Sequence, residues 1–453
     1  MAMEIPPTSL AFKVRRREPE LVAPVKPTPR ELKPLSDIDD REGHRFEYPM
    51  ILLYRYNPSM KGKDPARIIR DALAKTLVFY YPFAGRLREG PNRKLSVDCT
   101  GEGVLFIEGD ADVTLEEFGD ELLPPFPCMD ELLYDVEGSG GVLNCPLLLI
   151  QVTRLKCNSF ICAIRHNHTM SDAVGWLQFM TAVGEMARGA SSPTITPVWE
   201  RHLLNARNPP RVTYTHHEFD QQSSDEETIQ PGKMVHLSFV FGSNELSSLR
   251  RLLPSHHHQH CSTFDILTAC LWQCHTKALQ RDPKEHVCLI CIVNARSKFN
   301  PRLPSGYYGN VTAYPATVTT AGTLCQSPLV DVIELVKRTK GKVTEEYMKS
   351  MADFLATNGR PALALNRSFL VSDVTKIDFG DIDFGWGKPV YGGQANVMDG
   401  KHLLPYKNKE GEDGIVIPLC LPAPIMERFV SELNSMLKNE KHSCNSDDIK
   451  SNL

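Results

Sequence analysis

Hydrophobic positions along the chain follow two spacings: every second residue, as in strands, and every third or fourth, as in helices. Apolar stripes predict helices over residues 66–78 and 173–187, and Gly189 is placed to end the second helix. Apolar runs predict strands over residues 147–155 and 159–166. The two kinds of segment are mixed without strict alternation, which favours an α+β fold over a doubly wound parallel sheet.

The stretch 190–233 breaks this pattern because it is rich in proline, serine and polar residues. It is typical of a long crossover between two domains. The regular pattern resumes near Val235 and predicts four further elements: a helix over 262–277, a buried strand over 287–293, and helices over 329–349 and 424–437. The predicted division is therefore an N-terminal domain (1–189), a crossover linker (190–233) and a C-terminal domain (234–453).

Composition places the chain among ordinary globular proteins and narrows its partners. Its 453 residues suit two large domains, and 42% are hydrophobic while 23% are charged. The net charge of −4, without a basic block, argues against nucleic acid as a partner. No apolar run reaches the roughly 18 residues of a membrane-spanning helix, so we expect none.

The 13 cysteines lie mostly in apolar runs, as expected for small buried side chains in a reducing compartment. Cys288 and Cys291 form a Cys-x-x-Cys spacing, but they fall in the predicted strand 287–293. A structural role is therefore favoured over redox or metal chemistry. The run His256-His257-His258-Gln259-His260 invites a metal interpretation, yet no acid or cysteine pair shows ligand spacing, and a solvated loop is favoured.

The clearest candidate for catalysis is His168, at the junction of a predicted strand and a predicted helix. A helix N-terminus disfavours positive charge, which would keep the imidazole neutral and able to accept a proton from an attacking alcohol. Asp172 follows four residues later and could either reach the imidazole or pair with an arginine. Gly175 would let another element approach closely. The spacing alone arises often by chance.

Two motifs more than 200 residues apart resemble the plant BAHD acyltransferase family. They are His-Asn-His-Thr-Met-Ser-Asp-Ala at 166–173 and Asp-Phe-Gly-Trp-Gly at 383–387. Further similar stretches lie, in the expected order, at 81–87, 293–296 and 306–310. The resemblance implies two similar α+β domains of the chloramphenicol-acetyltransferase-like type, with mixed sheets and a channel between them.

The resemblance also implies roles for individual residues. His168 is then the general base in the middle of the channel, and Asp172 is held away from the substrate by an arginine, for which Arg296 is the candidate. Asp383 has only an indirect role, in a segment that shapes the coenzyme A side together with Gly385, Trp386 and Gly387.

The resemblance also implies that the helix start at Ser262 and Thr263 lies near the pantetheine or phosphates of coenzyme A, and a helix N-terminus can bind anions. Acyl-CoA is implied as a co-substrate, with no permanently bound cofactor and no metal. We expect the partners to be a small alcohol and acyl-CoA, without a membrane, and the protein to be a monomer.

Segments 35–40, 134–136 and 144–148 resemble the branch that esterifies benzyl alcohol or small aliphatic alcohols with benzoyl-, anthraniloyl- or acetyl-CoA. Benzoyl-CoA with benzyl alcohol is favoured. Two departures bear on selectivity and activity: His166 replaces an expected apolar residue, and the segment 391–406 is shorter than usual. An amine acceptor and an inactive protein that binds acyl-CoA therefore stay open as alternatives.

The C-terminal tripeptide Ser451-Asn452-Leu453 bears on location. It resembles the peroxisomal signal Ser-Lys-Leu, with asparagine in place of lysine. The alternative is an ordinary frayed tail. We expect either a peroxisomal or a cytoplasmic protein.

Overall fold

The structure, a computed structural model, describes residues 3–5, 9–220, 233–258, 260–397, 400–408 and 410–438. The strands are β1 (Met3–Ile5), β2 (Val14–Arg16), β3 (Glu20–Val22), β4 (Leu32–Pro34), β5 (Glu47–Tyr54), β6 (Arg86–Glu89), β7 (Leu95–Asp98), β8 (Val104–Ala111), β9 (Leu148–Leu155), β10 (Phe160–Asn167), β11 (Met234–Phe241), β12 (His286–Asn294), β13 (Thr312–Ala313), β14 (Ala316–Thr320), β15 (Ser368–Asp373), β16 (Tyr391–Gln394), β17 (Lys401–Lys407) and β18 (Asp413–Pro422). The helices are α1 (Pro65–Thr76), α2 (Met129–Leu132), α3 (Ala173–Ala187), α4 (Ser243–Arg251), α5 (Thr263–Leu279), α6 (Ala321–Gln326), α7 (Leu329–Gly341), α8 (Glu345–Thr357) and α9 (Ala423–Lys438).

Two large mixed sheets and one small sheet organise the described residues. The first large sheet has the strand order β16-β5-β10-β9-β8-β2, with β3 also paired to β8. The second has the order β1-β11-β18-β17-β15-β12-β13, with β14 also paired to β12. Each sheet contains both parallel and antiparallel pairs, such as β8 with β9 and β10 with β9. The predicted α+β class with mixed sheets is confirmed.

Strand β10 forms the middle of the first sheet because its residues are apolar on both faces. Phe160, Ile161, Cys162, Ala163 and Ile164 are all fully buried. Such a continuous apolar run is stable only where both sheet faces are covered. The strand pairs with β5 on one side and β9 on the other, and its end points to the helix α3.

Apolar side chains of the helices pack against both large sheets and form a hydrophobic core with each. Trp176 and Phe179 of α3 join the core of the first half, and Leu267 and Trp272 of α5 join that of the second. The predicted α3 agrees residue for residue, and Gly189 lies just beyond it with φ +97°. Amphipathic spacing and a side-chain cap explain why this helix was visible in the sequence.

The predicted single helix over 329–349 is wrong. The structure has two helices, α7 and α8, with a break after Gly341. Thr344 accepts a hydrogen bond from the backbone N–H of Tyr347 at 3.1 Å and starts α8. Glycine weakens a helix and threonine caps one. Gly341 therefore ends the first helix and Thr344 starts the second, although the apolar spacing continues across both.

Each large sheet takes one strand from the opposite half of the chain. Strand β16 pairs with β5 of the first sheet, and β1 pairs with β11 of the second. The predicted ranges 1–189 and 234–453 did not include this exchange. Of the predicted linker, residues 190–220 contact both halves: Arg201 pairs with Asp39 of the first at 2.8 Å and Arg207 with Asp353 of the second at 2.7 Å. Its polar run at 221–228 lies outside the described residues.

Candidate active site

His168 lies in the turn between β10 and α3. Its backbone N–H donates to the carbonyl of Phe46 at 2.9 Å, and its own carbonyl accepts a hydrogen bond from the side-chain amide of Asn310 at 2.9 Å. Phe46 belongs to the first half of the chain and Asn310 to the second. The backbone of the candidate base is therefore held from both halves.

The imidazole of His168 lies among aromatic rings and lines a cavity. Its ring stacks on His44, with centroids 4.7 Å apart, and lies 5.3 Å from the ring of Phe46. Burial removes water from the imidazole and lowers the pKa of His168 below its usual value. Burial, rather than the nearby helix start, is the main cause. A neutral imidazole near pH 7 is the form that can accept a proton.

Asp172 caps the helix α3 and is fully engaged. Its Oδ1 accepts hydrogen bonds from the backbone N–H groups of Val174 and Gly175, at 3.1 and 3.0 Å. Arg296 donates to Oδ2 at 2.6 Å and to Oδ1 at 2.8 Å. The N–H of Val311 donates to Oδ2 at 2.9 Å. The carboxylate therefore ties α3 to two segments of the second half.

These contacts decide between the two arrangements that the sequence left open for Asp172. The carboxylate makes no hydrogen bond to the imidazole of His168, and the guanidinium of Arg296 occupies both of its oxygens. Burial alone would raise the pKa of Asp172, but the charge of Arg296 and the N–H donors hold it below its usual range. The geometry is that of a structural ion pair rather than a catalytic dyad.

Gly175 permits a close contact between α3 and the second half. A Cβ at this position would lie 2.0 Å from the carbonyl oxygen of Tyr308. No side chain fits there without moving the backbone. Glycine is therefore required for the segment 306–310 to pack against the helix that follows His168.

The cavity that contains His168 has a volume of about 680 Å³ and lies between the two large sheets. Both halves of the chain supply its walls: Tyr48, His166 and His168 from the first, and Asn294, Ser372 and His402 from the second. A space of this size suits small-molecule substrates. The structure thus has a cavity where the sequence predicted a channel.

Two histidines in the cavity wall differ in how they are held. His166 stacks on Trp176, with centroids 4.5 Å apart and planes at 2°. His402 lies 2.9 Å from the carbonyl of Gly400 through Nδ1. Burial lowers the pKa of His402 to about 4 and that of His166 well below its usual value. Both rings are therefore neutral near pH 7, and no motif in the sequence indicated His402.

The segment 383–387 forms a tight turn, and its residues do not line the cavity. The Oδ1 of Asp383 accepts hydrogen bonds from the N–H groups of Gly385 and Gly387, at 2.7 and 2.8 Å. Both glycines have positive φ, +109° and +87°, which other residues rarely adopt. Trp386 packs against Phe160 of β10, with centroids 5.1 Å apart.

This turn explains how a distant motif can matter to the site. The chain leaves the turn, enters β16 and joins the edge of β5, where Gly392, Gly393 and Gln394 line the cavity. The turn thus fixes part of the cavity wall from outside. This placement supports the indirect role that the resemblance implies for Asp383.

We expect Asp383→Ala to lower the free energy of unfolding by about 1–3 kcal/mol, because two backbone N–H groups lose their acceptor. Activity should fall as well, because the turn no longer holds the backbone that leads into β16, a strand of the cavity wall. Asp112→Ala is the matched control, because Asp112 is exposed, pairs with the exposed Lys156 and does not line the cavity. Chemical denaturation and an ester-formation assay measure both effects. Equal behaviour of the two variants would contradict the role of the turn.

Ser262 and Thr263 do not line the cavity of His168. Ser262 caps α5: its hydroxyl oxygen accepts a hydrogen bond from the N–H of Asp265 at 3.2 Å and donates to the carboxylate at 2.6 Å. The hydroxyl oxygen of Thr263 accepts from Arg250 at 3.2 Å. The carboxylate of Asp265 already occupies the helix start, so the geometry does not favour an anion site there.

A buried polar network behind the turn of His168 was missed in the sequence. Asp39 accepts hydrogen bonds from Arg201 at 2.8 Å and from the backbone N–H of Asn310 at 2.8 Å. Arg201 in turn donates to the carbonyl of Met170 at 2.7 Å. Asp39 lies in a polar and charged stretch of sequence, 36–45, which does not itself indicate burial.

Within the described residues, no group of three or more histidine, cysteine or acidic side chains is placed to hold a metal ion. Cys288 and Cys291 lie buried in β12, as the structural interpretation predicted. His256 and His257 lie in a short turn, with ring centroids 4.3 Å apart. No described helix combines the length and the apolar character needed to cross a membrane.

Comparison with known proteins gives the class. The model of the Transferase family matches residues 12–436. Benzyl alcohol O-benzoyltransferase of Petunia hybrida is 62% identical over 440 residues, which cover 96% of this chain and 95% of that protein. The protein of the same name from Nicotiana tabacum is 63% identical over 438 residues, or 95% of each chain.

Solved structures agree on the fold. Vinorine synthase superposes with a TM-score of 0.71 at 20% identity, covering 94% of this chain and 98% of that one. Fusarium sporotrichioides TRI101, solved with coenzyme A and T-2, gives a TM-score of 0.67 at 16% identity over 88% and 97%. The chain belongs to the Transferase family, which confirms the resemblance to BAHD acyltransferases, and it is an acyltransferase enzyme.

Proposed function

We propose that the protein transfers the benzoyl group of benzoyl-CoA to benzyl alcohol, or to a similar small alcohol, and releases benzyl benzoate and coenzyme A. The alcohol oxygen attacks the thioester carbon while His168 takes its proton. The carbon–sulfur bond then breaks, and the same imidazole returns the proton to the departing thiolate. Such proton transfer contributes about 10²–10⁴-fold in rate.

One observation carries this proposal: a neutral imidazole lies in the wall of a cavity built by both halves of the chain. The cavity is large enough for the benzoyl group and a small alcohol to meet, so proximity supplies a further part of the rate. The two relatives at 62% and 63% identity, both named for this reaction, support the choice of acyl donor and acceptor. Asp172 and Arg296 then serve to hold the turn of the base.

Two rival functions predict different results with the same reactants: an amide in one case and no product in the other. An N-acyltransferase would prefer an amine acceptor, and an inactive binding protein would hold acyl-CoA without turnover; the shortened segment 391–406 motivates the second. Purified protein is incubated with benzoyl-CoA or acetyl-CoA and with benzyl alcohol, small aliphatic alcohols or benzylamine, and the products are identified by mass spectrometry. We expect benzyl benzoate as the main product. Amide formation alone, or binding without any product, would contradict the proposal.

We also propose that the protein acts as a monomer and is directed to peroxisomes by Ser451-Asn452-Leu453, which lies outside the described residues. Light scattering of the purified chain tests the first point. For the second, a fluorescent protein fused ahead of the last ten residues or so should become punctate, and deletion of Leu453 should disperse it. A diffuse signal from the intact fusion would reject the peroxisomal location in favour of the cytoplasm.

A further inference from the structure

Arg41 is a buried arginine without an acidic partner in the described part of the chain. Only 1% of its surface is exposed. Its guanidinium donates to the carbonyl and hydroxyl of Thr312, at 3.0 and 2.8 Å, and lies 4.0 Å from the ring centre of Tyr314. One nitrogen, Nη1, has no hydrogen-bond partner among the described residues. Burying a charge without a counter-ion is costly, so this arrangement needs an explanation.

The guanidinium of Arg41 reaches His168 through one intervening ring. Its Nε donates to Nε2 of His44 at 3.0 Å. The same Nε lies 3.4 Å from Nδ1 of His44, which is 3.3 Å from the carbonyl of Asp39, and Nε2 lies 3.2 Å from the hydroxyl of Tyr314. Burial and the charge of Arg41 lower the pKa of His44 well below its usual value. His44 is thus a neutral ring between a buried cation and the candidate base.

The ring of His168 lies close to two neutral histidine rings. His44 lies 4.7 Å away, with planes at 23°. His166 lies 6.0 Å away, with planes at 29°, and is itself backed by Trp176 at 4.5 Å. These neighbouring rings restrict the tilt of the His168 imidazole.

We propose that Arg41 and His44 are positioning residues for the base: the ring of His44 fixes the orientation of the His168 imidazole, and the buried guanidinium behind it opposes a second positive charge. This inference rests on the proposed role of His168. It concerns residues that do not touch the substrate, since neither lines the cavity.

No other charged or titratable group described around His168 neutralises the positive charge of Arg41. From the first half, the base faces His44, Tyr48, His166 and Asp172; from the second, Tyr314 and His402 line the same cavity. Asp172 favours protonation, but Arg296 pairs with it at 2.6 Å. The carboxylate of Asp39 near Arg41 is paired with Arg201 at 2.8 Å.

The charge of Arg41 is tested by the pH dependence of kcat/KM for ester formation. A histidine ordinarily titrates near pH 6.5, so the acid limb of the wild type should have its midpoint below about 6.5. In Arg41→Gln the opposing charge is gone, and the midpoint should rise by about one unit, which lowers activity about tenfold at pH values below it. Arg41→Lys keeps the charge and should keep the midpoint. Arg67→Gln, which removes an exposed arginine of α1, controls for the change in net charge.

The ring of His44 is tested by a pair of substitutions. His44→Leu removes the flat ring, so the imidazole of His168 is no longer held in its orientation. Because a misplaced base slows the chemical step, kcat should fall by about tenfold to a hundredfold with little change in KM. His44→Phe restores a flat ring without nitrogens and should recover most of kcat. A loss caused only by general destabilisation would not separate these two variants, and circular dichroism checks the fold of each.

The outcomes separate this inference from the proposed function. If His168→Ala keeps its activity, the base assignment fails and the inference falls with it. If His168→Ala is inactive while Arg41→Gln keeps the wild-type midpoint, or His44→Phe is as impaired as His44→Leu, only the positioning roles are overturned. If Arg41→Gln does not fold, Arg41→Lys decides the point about charge: a midpoint clearly above that of the wild type, although the positive charge is kept, overturns it.

Discussion

His168→Ala is expected to lower kcat for ester formation by about 10²–10⁴-fold, because the attacking alcohol loses its proton acceptor. The fold should persist, since the two hydrogen bonds that hold this residue are made by its backbone, to Phe46 and from Asn310. Steady-state assays with the purified variant measure the loss, and circular dichroism measures the fold.

The matched control for this variant is His256→Ala, which removes an exposed histidine in a surface turn. Its activity should equal that of the wild type. Near-normal turnover by a folded His168→Ala protein would show that another group accepts the proton. His166 and His402, the other neutral histidines in the cavity wall, would then be the groups to replace next.

Arg296→Met is expected to lower the free energy of unfolding by about 3 kcal/mol or more at pH 7, because it leaves the buried carboxylate of Asp172 without its cation. The exposed pair Lys156–Asp112 provides the control: Lys156→Met should cost less than about 1 kcal/mol. Activity of Arg296→Met should fall as well, since α3 and the turn of His168 lose a contact to the second half.

The pH dependence of this effect has a defined sign. The pKa of Asp172 is lowered in the folded protein, so its stabilising contribution is present above the unfolded value of about 3.9 and is lost as the pH falls through the folded value. In Arg296→Met the pKa of Asp172 should rise, and the difference in stability from the wild type should shrink in acid. Urea unfolding at pH 7 and near pH 4 measures it. A difference that is small at pH 7, or unchanged in acid, would contradict the role of the ion pair.

Local patterns predicted much of the fold. Helix α3 was predicted with its observed bounds because apolar spacing and a capping aspartate act within a few residues. The strands around 147–166 were predicted within one or two residues for the same reason. Helices α7 and α8 were merged, because continuous apolar spacing hid the break after Gly341.

Features that depend on distant parts of the chain could not be predicted. Strand β16 pairs with β5 across more than 300 residues of sequence. The local sequence of β16, Tyr391–Gln394, does not indicate which strand it pairs with. The site shows the same limit. His168 was visible because it belongs to a motif, whereas His44 and His402 became part of the site only through folding. The pairing of Asp172 with Arg296 followed from the resemblance, and spacing alone left it open.

Direct transfer of the acyl group from coenzyme A to an alcohol, with His168 as the base, leaves no acyl group on the protein. The experiment mixes the purified protein with benzoyl-CoA, with and without benzyl alcohol, and measures free coenzyme A, benzyl benzoate and the intact protein mass. We predict that coenzyme A and benzyl benzoate form in equal amounts only when the alcohol is present, and that the protein mass does not change. A release of coenzyme A equal to the enzyme concentration without alcohol, together with a benzoylated protein, would contradict the claim.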